Sequence, residues 1–263
     1  GSRNVTSSEP ADGNEPPHVT PRPAAAHVLP VPPVTFVVLA KAPVPGQVKT
    51  RLTTAYSDHE AAALAGAALL DSLDAVGAAA VAAGTADRRL VCALTGDLDR
   101  AAAPDALRHG LAAFTVVPQR GTGLGERIAH AHRDAAGDFG ATVQIGMDTP
   151  HASPVVLAEV AARVVAEDGP DAVLGLAEDG GWWLLALRRA ADARLVASVP
   201  MSTPETGRLT RKALEASGLR VEAAPVLSDV DEPRDVVTVA ARCPQSRFAA
   251  LAGVLGSRPA VAS

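Results

Sequence analysis

The sequence predicts an α/β domain built on a mostly parallel central sheet with helices on both faces. From Val34 onward, compact apolar runs rich in β-branched residues alternate with Ala-rich stretches of helical character. The apolar runs lack strict in-out alternation, as expected of strands covered on both sides. Hydrophobic residues make up 48% of the 263-residue chain and charged residues 20%, enough for one sizeable core of Ala, Val and Leu.

The elements follow in order. Residues 34–40, VTFVVLA, read as the opening strand, and the Ala-rich stretch 59–83 as a long helix. Further apolar runs place strands at 89–94, 114–117, 142–147, 172–176, 182–187 and 220–223. Helices are expected between them at 98–108, 124–136, 154–167, 204–216 and 233–241. Three of these begin with an early proline behind a capping-type or acidic residue, at Ser153-Pro154, Thr203-Pro204 and Glu232-Pro233. Proline suits the first helical turn because its missing N–H would have no partner there. Residues 1–33 hold eight of the 21 prolines and no run of large apolar residues. They read as a disordered tail that starts with an expression scar, Gly1-Ser2. The folded domain is expected over 34–245, and a short helix and tail over 246–263.

Composition excludes several classes. A net charge of −5 argues against a general nucleic-acid binder, which needs a basic surface to neutralise phosphates. Cys92 and Cys243 are too few for a disulfide framework or zinc ribbon, and a reducing cytoplasm fits them. Apolar runs such as 75–83 fall well under the roughly 20 residues needed to cross a bilayer, so no membrane insertion is expected. No G-x-S-x-G frame or His-activated thiol points to covalent catalysis.

In a parallel sheet, ligands bind beyond the carboxyl ends of the strands. The loop after the first strand carries Lys41, Gly46, Lys49, Thr50 and Arg51. Prolines stiffen it, Gly46 permits close backbone approach, and three cations with a hydroxyl suit a triphosphate. It lacks the two-glycine frame of a Walker A loop, and a solvated basic turn is the plain alternative. After the fourth strand stands Asp148, the first candidate for holding Mg²⁺, with a turn or capping Asp as the alternative. Asp229 and Asp231, alternating in an extended segment, present two carboxylates to one point, although Asp231 also suits a helix cap.

Two further loops add polar groups. Arg120, Gly123 and Gly125 lie in a glycine-rich stretch at a helix N-terminus, where backbone N–H groups can approach an anion. Their spacing does not match G-x-G-x-x-G, so a Rossmann reading is weak. Asp179-Gly180-Gly181 precedes Trp182 and Trp183, two of only seven aromatic residues. The triplet reads either as a plain hairpin turn or as the wall of an acceptor site with Trp182. Consecutive strand residues point to opposite faces, so at most one Trp meets a ligand.

Together, the run 39–52, Gly123-Leu124-Gly125-Glu126-Arg127, Gly146-Met147-Asp148-Thr149-Pro150, the run 178–185 and Asp229-Val230-Asp231-Glu232-Pro233 resemble the DUF2064 family. That family is often labelled glycosyltransferase and grouped with the GT-A, nucleotide-diphospho-sugar transferase fold. Tyr is common there where this chain has Trp182 and Trp183, a departure that bears on the acceptor. The basic first loop also resembles that of phospholactate guanylyltransferases. The resemblance implies Lys49 and Arg51 on phosphates, Lys41 near the nucleotide, and Asp148, Asp229 and Asp231 on Mg²⁺ or Mn²⁺. It implies a transferase that takes a nucleotide or nucleotide-sugar donor and a small-molecule acceptor. Glycosyl transfer is the leading expectation, nucleotidyl transfer from a nucleoside triphosphate the alternative, and a non-catalytic nucleotide-binding module the third.

Overall fold

β1 (Val34–Lys41) is the expected opening strand, and its first five residues are all buried. It belongs to a computed structural model that describes residues 33–84 and 89–257. Apart from Pro33, the expected Pro-rich tail lies outside the described residues, as does the end of the chain beyond Ser257.

Six more strands complete the sheet: β2 (Arg89–Thr95), β3 (Thr115–Pro118), β4 (Ala141–Gly146), β5 (Ala172–Ala177), β6 (Trp182–Leu187) and β7 (Val221–Leu227). Their order is β3-β2-β1-β4-β6-β5-β7. The pairs β1–β2, β1–β4, β2–β3 and β5–β7 are parallel, and β6 runs antiparallel to both β4 and β5. The reason lies in the connection. Four residues, 178–181, join β5 to β6, far too few for a parallel crossover. The hairpin reading of Asp179-Gly180-Gly181 is therefore the structural one: Gly180 N donates to Ala177 O at 3.1 Å and Ala177 N to Gly181 O at 3.0 Å.

The helices are α1 (Asp58–Ala82), α2 (Pro104–Gly110), α3 (Leu124–Ala136), α4 (Pro154–Val165), α5 (Thr206–Ala216), α6 (Pro233–Arg242) and α7 (Arg247–Gly256). At α1, the Ser57 hydroxyl accepts from Glu60 N at 3.2 Å, and Glu60 accepts from Ser57 N at 2.9 Å, a reciprocal cap. Taken whole, α1 has 25 residues and is long and apolar enough by composition to cross a bilayer. Here Leu64, Leu69, Leu73 and Val76 are buried inside the domain, as in a core helix. The single helix expected at 98–108 is broken into a short 3-10 turn (Leu98–Arg100) and α2. Pro104 explains the break, because a residue before proline is pushed out of the right-handed helical region. Ala103 lies outside the right-handed region, at φ 59° in the left-handed one.

Side chains fill both faces of the sheet. One core joins Phe36, Val38, Val143, Ile145, Trp183 and Leu184 to α1 and α4. The other joins Leu174, Leu185 and Leu187 to α3 and α5, with Trp182 packed at its edge. The two tryptophans thus face opposite sides, while Trp183 shares a face with its neighbour Leu184 where the β5–β6 register shifts by one residue. A third cluster unites Leu52, from the loop after β1, with Leu64 of α1, Val236 and Val239 of α6 and Phe248 of α7. Cys92 is fully buried in β2, and burial pushes its thiol up to about 12.

Candidate functional site

The carboxyl ends of β1, β4, β5 and β7 bring three loops and a turn to one edge. The first loop starts at Lys41, whose backbone N–H donates to Met147 Sδ at 3.2 Å and whose Nζ donates to Gln47 O at 2.7 Å. It ends in a 3-10 turn (Thr50–Thr54) moored by Leu52, which is fully buried. Between them Lys49 adopts a left-handed backbone at φ 49°. Non-glycine residues accept that conformation only where their surroundings impose it. Here it turns the Lys49 side chain inward, where it is 9% exposed.

The ammonium of Lys49 stands 2.9 Å from Asp148 Oδ1 and 3.5 Å from Asp231 Oδ1. Asp148 Oδ1 is buried, and the Lys49 ammonium is its charged partner. Arg51 Nη1 donates to the other Asp231 oxygen at 2.5 Å. Burial alone would lower the Lys49 pKa, but Asp148, with Asp231 and Asp229, outweighs it and raises the value. Asp229 is pushed up to about 6, first by burial and then by the nearby Asp179 carboxylate.

A cleft of about 260 Å³ opens here, lined by Lys41, Lys49, Thr50, Arg51, Asp148 and Asp231 among others. Six of the residues expected to bind donor or metal are thus gathered in one place. Asp229 joins them through its interactions with Lys49 and Asp179. Gly46 lies exposed on the rim of the same loop. Among the described residues, no three His, Cys, Asp or Glu side chains stand in ready-made metal-ligand geometry. The donor set is nonetheless all carboxylate oxygen, which fits a hard cation such as Mg²⁺ or Mn²⁺.

Other expected residues sit elsewhere. Arg120 pairs with Asp134 of α3 and lines a separate surface cleft with His130 and Arg133. Gly123 has open space where a side chain would go. A Cβ on Gly125 would lie 2.7 Å from the carbonyl oxygens of Val196 and Ala197. That glycine lets α3 pack closely on the 3-10 segment Ala190–Val196. Gly180, at φ 91°, has no room for a side chain: its Cβ would meet Pro204 O at 2.0 Å. Gly181 N donates to Asp179 Oδ1 at 2.8 Å, which shapes the turn. Trp183 Nε1 donates to Pro225 O at 2.9 Å, whereas the half-buried Trp182 leaves its Nε1 without a protein partner.

Sequence reasoning missed a second network directly behind the acidic one. Ser228 Oγ donates to Glu178 Oε2 at 2.6 Å, and Arg242 Nη1 donates to Ser228 Oγ at 2.7 Å and to Glu178 Oε1 at 3.3 Å. Glu178 N also donates to Leu227 O at 3.0 Å, and Val230 N to Asp148 O at 3.2 Å. Glu178 and Ser228 immediately precede Asp179 and Asp229, so the network ties together the loops that present the carboxylates. The available signal was this adjacency. Arg242, by contrast, lies just beyond the helix expected at 233–241 and carries no local signal of this role. Gln119 was missed as well: its Nε2 donates to Ala40 O at 2.7 Å and Ala93 O at 2.9 Å, fastening the ends of β1 and β2.

Comparison with known proteins adds a family and a fold. Residues 76–203 match DUF2064, described as an uncharacterized protein conserved in bacteria. A 3-phospho-D-glycerate guanylyltransferase of Phenylobacterium zucineum (strain HLK1) is 34% identical over 214 residues, covering 73% of this chain and 84% of that protein. Among solved structures, a protein from Desulfovibrio desulfuricans G20 assigned to the nucleotide-diphospho-sugar transferases has a TM-score of 0.68 at 23% identity. The match covers 83% of this chain and 93% of that one. A cytidylyltransferase from Leptospira borgpetersenii serovar Hardjo-bovis (strain JB197) has a TM-score of 0.51 at 12% identity, covering 85% and 93%. Both structural likenesses agree with the mixed α/β fold expected above.

Proposed function

Because the chain belongs to the DUF2064 family and is a transferase of the nucleotidyl and glycosyl type, we propose that it moves a nucleotidyl group from a nucleoside triphosphate to a small phosphorylated acid. The carrying observation is the cleft in which Lys41, Lys49 and Arg51 face Asp148 and Asp231. A triphosphate brings more negative charge to that basic loop than a nucleotide sugar does. The guanylyltransferase named above, similar over most of its length, supports the same choice. The balance between the two expected chemistries thus moves to nucleotidyl transfer.

In this reading Lys49 and Arg51 hold the β- and γ-phosphates, and Lys41 and Thr50 border them. Asp148, Asp229 and Asp231 would hold Mg²⁺ or Mn²⁺, whose contribution is to neutralise charge on the triphosphate. The acceptor phosphate is already an anion at neutral pH and needs no general base. One of its oxygens attacks the α-phosphorus in line, a new P–O bond forms, and the α–β bridging bond breaks to release pyrophosphate. Trp182 and the Asp179 turn border the acceptor side, and the cytoplasm is the proposed compartment.

The test is a matrix of four nucleoside triphosphates and UDP- or GDP-sugars, each with Mg²⁺ and phospho-acid acceptors including 3-phosphoglycerate. Pyrophosphate release with a mass-identified nucleotidylated acid is the expected result. Nucleoside diphosphate release from a sugar donor, without pyrophosphate from any triphosphate, would overturn it in favour of glycosyl transfer.

A further inference from the structure

Lys49 answers to two demands that cannot be met at once. Its ammonium lies between Asp148 and Asp231, with its side chain only 9% exposed. The same cation belongs to the loop that would meet the donor's phosphates. Asp231 is taken on its second oxygen by Arg51, another cation of that loop. A divalent ion on these carboxylates would stand within a few ångströms of an ammonium of like charge, a strongly repulsive arrangement in a partly desolvated site. Phosphates entering the cleft offer Lys49 and Arg51 an alternative set of anionic partners. Leu52 is fully buried and moors the loop that carries both cations.

We propose that Lys49 is a tethered competitor of the divalent cation, occupying the acidic centre until the nucleotide phosphates draw it away. Nucleotide and cation then bind with positive coupling, and each raises the affinity for the other by the same factor. Free cation binds weakly to the protein alone, and the donor and its cation enter together. The proposal rests on the reading of Asp148, Asp229 and Asp231 as the cation site.

The experiment measures Mn²⁺ binding to the nucleotide-free protein, following free Mn²⁺ by its electron paramagnetic resonance signal. Wild type is compared with Lys49→Met, Arg51→Gln and the double variant Lys49→Met/Asp229→Asn, with folding checked by circular dichroism. Lys49→Met should bind Mn²⁺ about tenfold more tightly than wild type, and the added Asp229→Asn should cancel the gain. Arg51→Gln removes an exposed side chain that the fold does not need, and should shift affinity in the same direction by about two- to fivefold. If Lys49→Met does not fold, Arg51→Gln alone decides between a gain and none. Equal or weaker Mn²⁺ binding by the variants would overturn the competition while leaving the cation site in place. A gain that survives Asp229→Asn would put the ion elsewhere and overturn it too. No Mn²⁺ binding by any form, with or without GTP, would remove the cation site and the competition together.

Discussion

Replacing Asp229 with Asn should make the metal-free protein more stable at neutral pH, although it removes a residue assigned to the site. The folded state holds the Asp229 proton up to about pH 6, whereas the ordinary value is 3.8. Between those values the native state binds more protons than the unfolded chain, so stability falls as pH rises. Above about pH 6 the loss is complete and constant. A shift of two pKa units corresponds to about 3 kcal/mol. Asp229 is only partly buried, and solvent screening reduces the expected effect to about 1–2 kcal/mol. For a domain of this size that is about 3–6 °C in Tm. The assay is thermal unfolding in EDTA from pH 4 to pH 8. Asp229→Asn should melt higher than wild type at pH 7.5 and match it at pH 4. Equal melting at pH 7.5, or a difference that persists at pH 4, would refute the reasoning.

Three other outcomes follow from the same geometry. Asp148→Asn should lower turnover by at least about 10²-fold while circular dichroism shows the fold retained; unchanged turnover would take Asp148 out of the site. Gly125→Ala should cost about 1–3 kcal/mol in chemical denaturation, because its Cβ meets two carbonyl oxygens at 2.7 Å, with donor affinity unchanged. A loss of affinity without a loss of stability would mean that the glycine serves a ligand instead. Arg242→Ala should lower kcat about tenfold with little change in donor KM, since the Glu178–Ser228 network positions Asp229 without touching the donor. A pure KM effect would contradict that role.

The parts of the fold visible in the sequence are those written in local runs. Strands such as 34–40 and 182–187 show as buried apolar stretches, and Pro154 and Pro233 mark helix starts correctly. The same signal went unused at 98–108, where Pro104 begins a separate helix behind a left-handed Ala103. The direction of β6 depended on the length of one turn, and the alternative hairpin reading contained it. Lys41, Lys49, Arg51, Asp148 and Asp231 were legible because each ends or follows a strand on the sheet's carboxyl edge. Gly125 was not: a glycine needed for helix packing and one needed for phosphate approach look identical in one dimension. Arg120 looked like a phosphate ligand until Asp134, fourteen residues on, claimed it. Arg242 meets Glu178 across 64 positions, a separation that no local pattern encodes.

The cluster formed by Leu52, α6 and α7 has a practical side. Phe248 is fully buried in it, and Asp71 of α1 accepts from the backbone amides of Arg247 and Phe248 at 3.1 and 2.9 Å. Trimming the gene at residue 245 would take Phe248 and Ala252 out of the hydrophobic seat of Leu52 and leave Asp71 without those two donors. The loop after β1 would then be held less firmly, at a distance from the cleft it lines. Expression boundaries, tags and fusion partners should therefore be placed beyond α7, and a sluggish truncated enzyme should first be read as a missing foundation.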